Sequence, residues 1–480
     1  MEKIRNYING ELLEPVSGGY IDNYNPATGK VYSLIPDSDE RDVEAAVDAA
    51  TEAFEGWSRM RTEERSEILI RLSELIRRDM EELALAESID NGKPLWLAKS
   101  VDIPRAVSNF HFYATAALHL STHAYSMGAT AINYTLRAPI GIAGCISPWN
   151  LPLYLFSWKI APALASGNCV IAKPSEITPM TAYRLSALAI EAGLPPGVLN
   201  IVHGYGAKAG KAIVSHPKIQ AVSFTGGTKT GEEISRIAAP MFKKLSLELG
   251  GKNPNIVFAD CDFETAVKTS IQSSFANQGE ICLCGSRIFV ERPIFEKFRD
   301  AFVQAVEKMK TGNPLNDENR LGAIVSRQHM DKILHYINLA VDEGGRILTG
   351  GKTINPPGEN ANGYYLLPTV IEGLAHDCRT NQEEIFGPVV TIQPFDTEEE
   401  VLRFANSTPY GLAATVWTQH LTRAHRIAAA LQSGIVWINC WLLRDLRTPF
   451  GGVKASGVGR EGGFEALHFF TEEKNVCIKL

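Results

Sequence analysis

The chain is poor in clustered cysteine, in excess charge and in unbroken apolar runs, and each shortage removes a class of protein. Its eight cysteines are scattered through 480 residues with no CxxC pair, which argues against a secreted disulfide scaffold and suits a reducing, cytoplasmic setting. No second cysteine pair and no histidine lies near Cys282 and Cys284 in the sequence, so no metal site is expected. The net charge is −7 and neither end carries a basic arm, which speaks against nucleic-acid binding. The N-terminus, "MEKIRNYINGELLEPVSGG", lacks an apolar core of signal-peptide length and reads as a hairpin around Asn9-Gly10. The one long apolar stretch, Ile140 to Ala172, is interrupted by Pro148, Asn150, Pro152, Lys159, Pro162 and Asn168. A membrane helix needs about 20 uninterrupted apolar residues, so this stretch reads as strand, loop, helix and strand within a core. There is no repeat of fixed period and no low-complexity linker.

What is present is the rhythm of a globular α/β protein, long enough for two or more domains. "DERDVEAAVDAATEAFEGW" and "TEERSEILIRLSELIRRDMEELALAES" have helical periodicity with acids in their first turns. "NCVIAKP", "VLNIVHG" and "IQAVSFTGG" are short apolar strands, each followed by a helix; the first of these helices is expected to have Thr178 as N-cap, Pro179 at its first position and Gly193 as its stop. Such alternation predicts a doubly wound parallel sheet. "SRIFVE", "VVTIQPF" and "IVWINC" suggest a second set of βα units, and "HAYSMGATAINYTLRAPIG" a hairpin excursion, with "ALHFFTEEKNVCIKL" ending in an alternating strand.

Several short stretches could carry chemistry. "HGYGAKAG" (Gly204, Gly206, Gly210) and "FTGGTKTG" (Gly226, Gly227, Gly231) lie at strand-to-helix turns, where backbone N–H groups and the helix dipole favour an anion. Neither has the spacing of G-x-G-x-x-G; each alone reads first as a tight turn, and only the occurrence of two in successive βα units gives the nucleotide reading equal weight. Glu176 in "VIAKPSE" could accept hydrogen bonds from a ribose and would repel a 2′-phosphate; a solvated loop is the plainer reading. Glu248 in "LSLELGGKNP" is an acid in an apolar strand, either a general base with a raised pKa or an edge residue facing water. Asn150, between two prolines, could present an amide to a developing oxyanion or simply make a turn. For Cys282 and Cys284 the alternatives are two buried thiols or one nucleophile, whose ordinary pKa of roughly 8.5 would leave little thiolate at neutral pH.

Taken in order, "PWNLP", "KPSE", "FTGG", "LELGGKNP", "NQGEICLCGSR", "EEIFGPV" and "PFGGVKASGVGREGG" resemble the NAD(P)-dependent aldehyde dehydrogenases along essentially the whole chain. The resemblance implies an α/β fold with a Rossmann-like cofactor domain (1–120 and 139–248), an α/β catalytic domain (249–440) and a small β oligomerisation element (121–138 and 460–480). It implies NAD as cofactor, a small aldehyde as substrate, and a homodimer or homotetramer. Aligned on Gly279, Glu280 and Arg287, Cys282 takes the nucleophile position and Cys284 that of a packing neighbour. Glu248 resembles the general base and Asn150 the oxyanion donor. Lys173 and Glu176 resemble the adenosine-ribose contacts, Glu384 and Phe386 the pair that positions the nicotinamide end. Trp149, Gly206, Gly210, Phe224, Gly226, Gly227, Thr228, Leu249 and Gly250 are expected along the cofactor path. Gly227 departs from the pattern, since many members carry serine there.

"NCWLLRDLRTPFGGVK" and "DIPRAVSNFHFYA" resemble the branch that oxidises 2-aminomuconate and 2-hydroxymuconate semialdehydes. The resemblance places Arg444 and Arg105 where that branch binds the substrate carboxylate, a task suited to a bidentate guanidinium. Structural ion pairs are the alternative for both arginines. A dehydrogenase for aliphatic, aromatic or betaine-type aldehydes is the alternative activity, and a catalytically idle protein on the same fold a third.

Overall fold

A computed structural model describes residues 1–480. An eight-stranded sheet forms the first half, and its centre is parallel: Lys244–Glu248, Ile219–Thr225, Ile142–Ile146, Cys169–Lys173 and Leu199–Ile201 lie side by side in that order. These strands are almost wholly buried, as expected where helices cover both faces. One edge is extended by the hairpin Asn6–Ile8 and Glu11–Leu13, turned by Asn9 and Gly10 at φ +53° and +81°. The other is closed by Gly457–Val458, antiparallel to Lys244–Glu248. That strand comes from 441–459, a stretch outside all three expected domain spans. It lays distant chain beside Glu248.

A seven-stranded sheet forms the second half and includes Pro254–Val257, Arg287–Glu291, Val389–Phe395, Ala413–Trp417 and Ile435–Ile438. Ala131–Pro139 and Thr471–Lys479 pair antiparallel along their full lengths, with Ala124–Ser126 alongside, in a small separate sheet. No helix is long and apolar enough to cross a membrane.

The helices follow their local signals with two exceptions. Glu40–Arg59 starts at Asp39, whose carboxylate accepts from the Arg41 N–H while Asp42 reaches back to the Asp39 N–H, a reciprocal cap that satisfies otherwise orphaned donors. The following helical stretch is broken at Asp79 into Thr62–Arg78 and Met80–Asn91. Thr178 does not cap the next helix. Met180–Glu191 begins after Pro179 without a side-chain cap, and the Thr178 hydroxyl instead donates to the Trp149 carbonyl at 3.2 Å. The threonine thus ties the helix entry to the loop that carries Asn150.

Candidate active site

The loop holding Cys282 follows helix Phe263–Phe275 through three successive residues in the left-handed region, Asn277, Gln278 and Gly279. For a residue other than glycine this costs of order 1 kcal/mol and persists only where the surroundings impose it. Here they do. Asn277 Nδ2 donates to the Asn150 carbonyl at 3.0 Å, and Gln278 Nε2 donates to the Ala323 carbonyl at 3.2 Å. Gly279 lies so close to Gly387 that a Cβ would sit 2.2 Å from its carbonyl oxygen. Beyond the loop, Asn253 Nδ2 donates to the carbonyls of both Cys282 and Cys284, at 2.7 and 2.9 Å. The buried Arg287 donates to the carbonyls of Lys252, Phe404 and Ala405.

A turn closed by the Cys284 N–H on the Ile281 carbonyl at 3.0 Å separates the two thiols. Cys284 is buried behind the loop among Ser274, Ser286 and Val389. Cys282 is half-buried; it borders the small space beside Cys284 too, and unlike Cys284 it also lines two larger ones.

The first space is a cleft walled by Trp149, Asn150, Thr225, Gly226, Gly227, Leu249, Gly250, Glu384 and Phe386. Phe386, at φ +63°, meets Trp149 edge-on at 5.2 Å between ring centroids. Glu384 accepts from the Gly251 N–H at 2.8 Å. His329 and Lys332 also line the cleft, and no motif pointed to them; His329 Nε2 is 2.6 Å from the Phe386 carbonyl. Burial drives the His329 pKa down to about 4, so the ring is neutral at physiological pH and acts as donor in that contact. Gly206, Gly210 and Phe224 line a separate outer pocket. Lys173 and Glu176 line neither space. Lys173 Nζ is held by the Glu176 carboxylate and the Pro174 carbonyl, both at 3.0 Å. Burial raises the Glu176 pKa, but Lys173 and backbone N–H groups, Gly206 among them, together outweigh it and hold the carboxyl below its ordinary value. Thr228 opens helix Thr228–Ala238, uncapped by any side chain.

These features fit a dinucleotide. A helix N-terminus with free N–H groups stands at a strand end, a Cβ on Gly206 or Gly227 would meet nothing within 4 Å, and the buried Thr225 hydroxyl lacks a partner.

The second space is a mostly apolar cavity bounded by Leu151, Tyr154, Leu155, Ile281, Leu283, Trp441, Leu442 and Phe450, with Glu248, Glu461 and Arg444 among its polar groups. Glu248 ends its strand buried at 4% exposure, and one carboxylate oxygen lacks a partner. It therefore does not face water. Burial, followed by the nearby Glu461 carboxylate, pushes its carboxyl well above the ordinary range against the pull of Lys159. Nothing in the sequence placed Glu461 or Lys159 beside Glu248: Lys159 Nζ sits 2.8 Å from Glu461 Oε1, which also accepts from Ser223 at 3.0 Å. Burial and the Glu248 and Glu384 carboxylates push the Cys282 thiol up as well.

Asn150 is anchored from both sides. Its Nδ2 donates to the Glu280 carbonyl at 2.9 Å, leaving one amide N–H free, and its own carbonyl accepts from Lys93 Nζ at 3.0 Å. Lys93 is fully buried and paired with Asp102 at 2.8 Å. The Cys282 N–H makes no bond to a protein acceptor.

Neither Arg105 nor Arg444 has a carboxylate within 4.0 Å, so the structural ion pairs allowed by the sequence do not occur. Arg444 lies over the rings of Phe450 and Trp158, at 4.0 and 5.2 Å, and donates to the Tyr154 hydroxyl at 2.6 Å. Arg105 does not line the cavity directly; its guanidinium lies 5.6 Å from the centroid of the Tyr154 ring.

A thiol between a cleft that fits a dinucleotide and an apolar cavity containing a buried carboxylate is the arrangement of one class of oxidoreductase. The chain belongs to the aldehyde dehydrogenase family, which matches residues 13–476. It is 51% identical to the 2-aminomuconic semialdehyde dehydrogenase of Mus musculus over 479 residues, 99% of this chain and 98% of that protein. It is 47% identical to the 2-hydroxymuconic semialdehyde dehydrogenase of Pseudomonas sp. (strain CF600), with both chains covered completely. The NAD+ complex of a Bacillus cereus aldehyde dehydrogenase superposes with a TM-score of 0.97 at 41% identity, covering 100% of this chain and 97% of that one.

Proposed function

We propose that the protein oxidises a carboxylate-bearing, muconic-type semialdehyde to the corresponding acid with NAD. The carrying observation is Arg444: a guanidinium without a carboxylate partner in the cavity that also holds Cys282 and Glu248. An arginine left unpaired in an apolar pocket is costly, and a substrate carboxylate offsets that cost with paired, charge-assisted bonds. The 2-aminomuconic and 2-hydroxymuconic semialdehyde dehydrogenases among the relatives support the same substrate class, and the NAD+ complex among the structural neighbours supports the cofactor. The ionised Glu176 favours a free ribose over a 2′-phosphate.

In this mechanism Cys282 Sγ, as thiolate, bonds to the aldehyde carbon, and the resulting alkoxide is held by the free Asn150 amide N–H and the Cys282 N–H. NAD, when bound in the adjoining cleft, supplies the hydride acceptor that turns the thiohemiacetal into a thioester. Glu248 then takes a proton from water, the oxygen attacks the thioester, and the C–S bond breaks to release the carboxylate and restore the thiolate. Trp149, Gly226, Gly227, Thr228, Leu249, Gly250, Glu384 and Phe386 serve the inner half of the cofactor, and Lys173, Glu176, Gly206, Gly210 and Phe224 the adenosine half. We further assign 1–120 and 139–248 to the cofactor domain, 249–440 to the catalytic domain, and 121–138 with 460–480 to an element that assembles a homodimer or homotetramer in the cytoplasm.

The test is kcat/KM for 2-hydroxymuconate semialdehyde and for hexanal in the wild type and in Arg444→Ala. The expected loss is about 10²-fold for the muconic substrate, the scale of a severed charged contact, and under threefold for hexanal. Equal losses on both substrates would return the protein to the general aldehyde dehydrogenases.

A further inference from the structure

Tyr154 occupies a position that neither the site motifs nor the reaction explains. It sits at the start of helix Pro152–Ala165, 6% exposed, with its side chain on the cavity that contains Cys282. The backbone beneath it is fixed: its carbonyl accepts from Asn109 Nδ2 at 3.1 Å and from the Ser157 hydroxyl at 2.9 Å. Both candidate carboxylate-binding arginines converge on this one side chain. Arg444 Nη1 donates to its hydroxyl oxygen at 2.6 Å, and the Arg105 guanidinium lies 5.6 Å from its ring centroid.

Hydrogen-bond capacity sharpens the picture. A guanidinium has five N–H donors and no acceptor; Arg444 uses one of them, on Tyr154, and the rest of its planar fork meets only the faces of Phe450 and Trp158. The phenol accepts from Arg444, and its own O–H has no acceptor within the protein. A phenol that accepts from a cation becomes a better donor. Its O–H is therefore available to an anion held by the arginine fork.

We infer that Tyr154 is a specificity-determining residue that completes, with Arg444, a carboxylate site in the cavity: its oxygen orients Arg444, its ring lies against Arg105, and its O–H bonds to the substrate carboxylate. The inference rests on the proposed carboxylate-bearing substrate and adds a residue to its recognition. A tyrosine that merely packed the core would affect all aldehydes alike, whereas one that reads a carboxylate acts on the ratio between substrates. The effect should also depend on Arg444, since residues in one network are not additive.

The experiment measures kcat and KM for 2-hydroxymuconate semialdehyde and hexanal in wild type, Tyr154→Phe, Tyr154→Leu, Arg444→Ala and the Tyr154→Phe/Arg444→Ala double variant. Thermal unfolding and NAD binding check that each variant folds. Tyr154→Phe keeps the ring and should lower the muconic-to-hexanal selectivity ratio about tenfold, mainly by raising the muconic KM. Tyr154→Leu also removes the ring and should lower it further. The double variant should be less than threefold worse than Arg444→Ala. If the ratio survives in Tyr154→Phe while Arg444→Ala loses it, Tyr154 has no part in recognition and the proposed function stands. If the wild type shows no preference for the muconic substrate, or Arg444→Ala keeps that preference, the proposed function fails and the role of Tyr154 falls with it.

Discussion

Cys282 divides two spaces built on opposite principles. On the cofactor side much of the wall is backbone or small: Pro148, Gly226, Gly227 and Gly250 leave room for a ligand to approach peptide N–H groups. On the other side large side chains dominate, with Leu151, Trp441, Leu442 and Phe450 around a few charged groups. Backbone donors and a helix dipole recognise phosphate whatever else the molecule carries. An apolar cavity with a few fixed polar groups discriminates among small molecules. The nucleophile can therefore belong to a family while the substrate belongs to a branch. Variants that disable the shared junction should abolish everything; variants on one side should alter only what that side recognises.

The largest effect is expected at the junction itself. Cys282→Ala should lower kcat by roughly 10⁴-fold or more with any aldehyde, on the scale seen when a covalent nucleophile is removed, and should abolish the NADH burst. Cys284→Ala is the sharper half of the experiment. Cys284 lines neither large space, so the variant should retain the burst, with kcat within about fivefold and a lower unfolding temperature from the small cavity created. A burst lost in Cys284→Ala and kept in Cys282→Ala would exchange their roles.

That separation of the thiols also marks how far the sequence could be read. The motif register around Gly279 and Arg287 pointed to Cys282, but the physical reason is the turn closed on Ile281 together with left-handed residues at 277 and 278. Local signals with a local cause were legible: the helix Glu40–Arg59 with acids in its first turn, the Asn9-Gly10 hairpin and the apolar strands of the parallel core. Thr178 misled because a good capping residue found a tertiary partner in Trp149. Asp79 interrupts a stretch whose apolar periodicity continues across it, so the break left no trace in the pattern. The groups that set the electrostatics were beyond reach, since Lys159 and Glu461 lie 302 residues apart and Tyr154 and Arg444 lie 290 apart. No periodicity links such pairs; only the folded chain does.

The next effect belongs to the substrate side and is read in pH rather than in rate. In the proposed mechanism Glu248 must be ionised to take a proton from water, so the acidic limb of the deacylation profile should follow its pKa. Glu461 raises that pKa and Lys159 lowers it. Glu461→Gln removes a like charge and frees Lys159 to favour the Glu248 carboxylate, so the limb should move to lower pH, by about one unit. Lys159→Met removes the opposing cation and should move it to higher pH. Single-turnover hydrolysis of the thioester across the pH range distinguishes the two, and shifts in the same direction would show that Glu248 does not govern the limb.

The smallest effect tests the cofactor side, where this chain departs from the pattern it otherwise follows. Gly227 precedes helix Thr228–Ala238 with no side chain to cap it, at an ordinary φ of −71°. Its backbone therefore does not demand glycine, and an added Cβ would meet nothing within 4 Å. Serine there would supply a hydroxyl able to accept from a first-turn N–H or to donate to a diphosphate. Replacing an N-cap glycine by serine stabilises a helix by only a few tenths of a kcal/mol, and one added hydrogen bond contributes about 1 kcal/mol. Gly227→Ser should thus tighten NAD binding by about threefold to fivefold, measured by fluorescence titration, with the muconic-to-hexanal ratio unchanged. A weaker Kd would mean that the hydroxyl competes with the diphosphate for the same N–H groups, so that the open glycine is itself the better anion cradle. A changed substrate ratio would break the division between the two sides, because it would show that the cofactor cleft reaches across Cys282 to select the aldehyde.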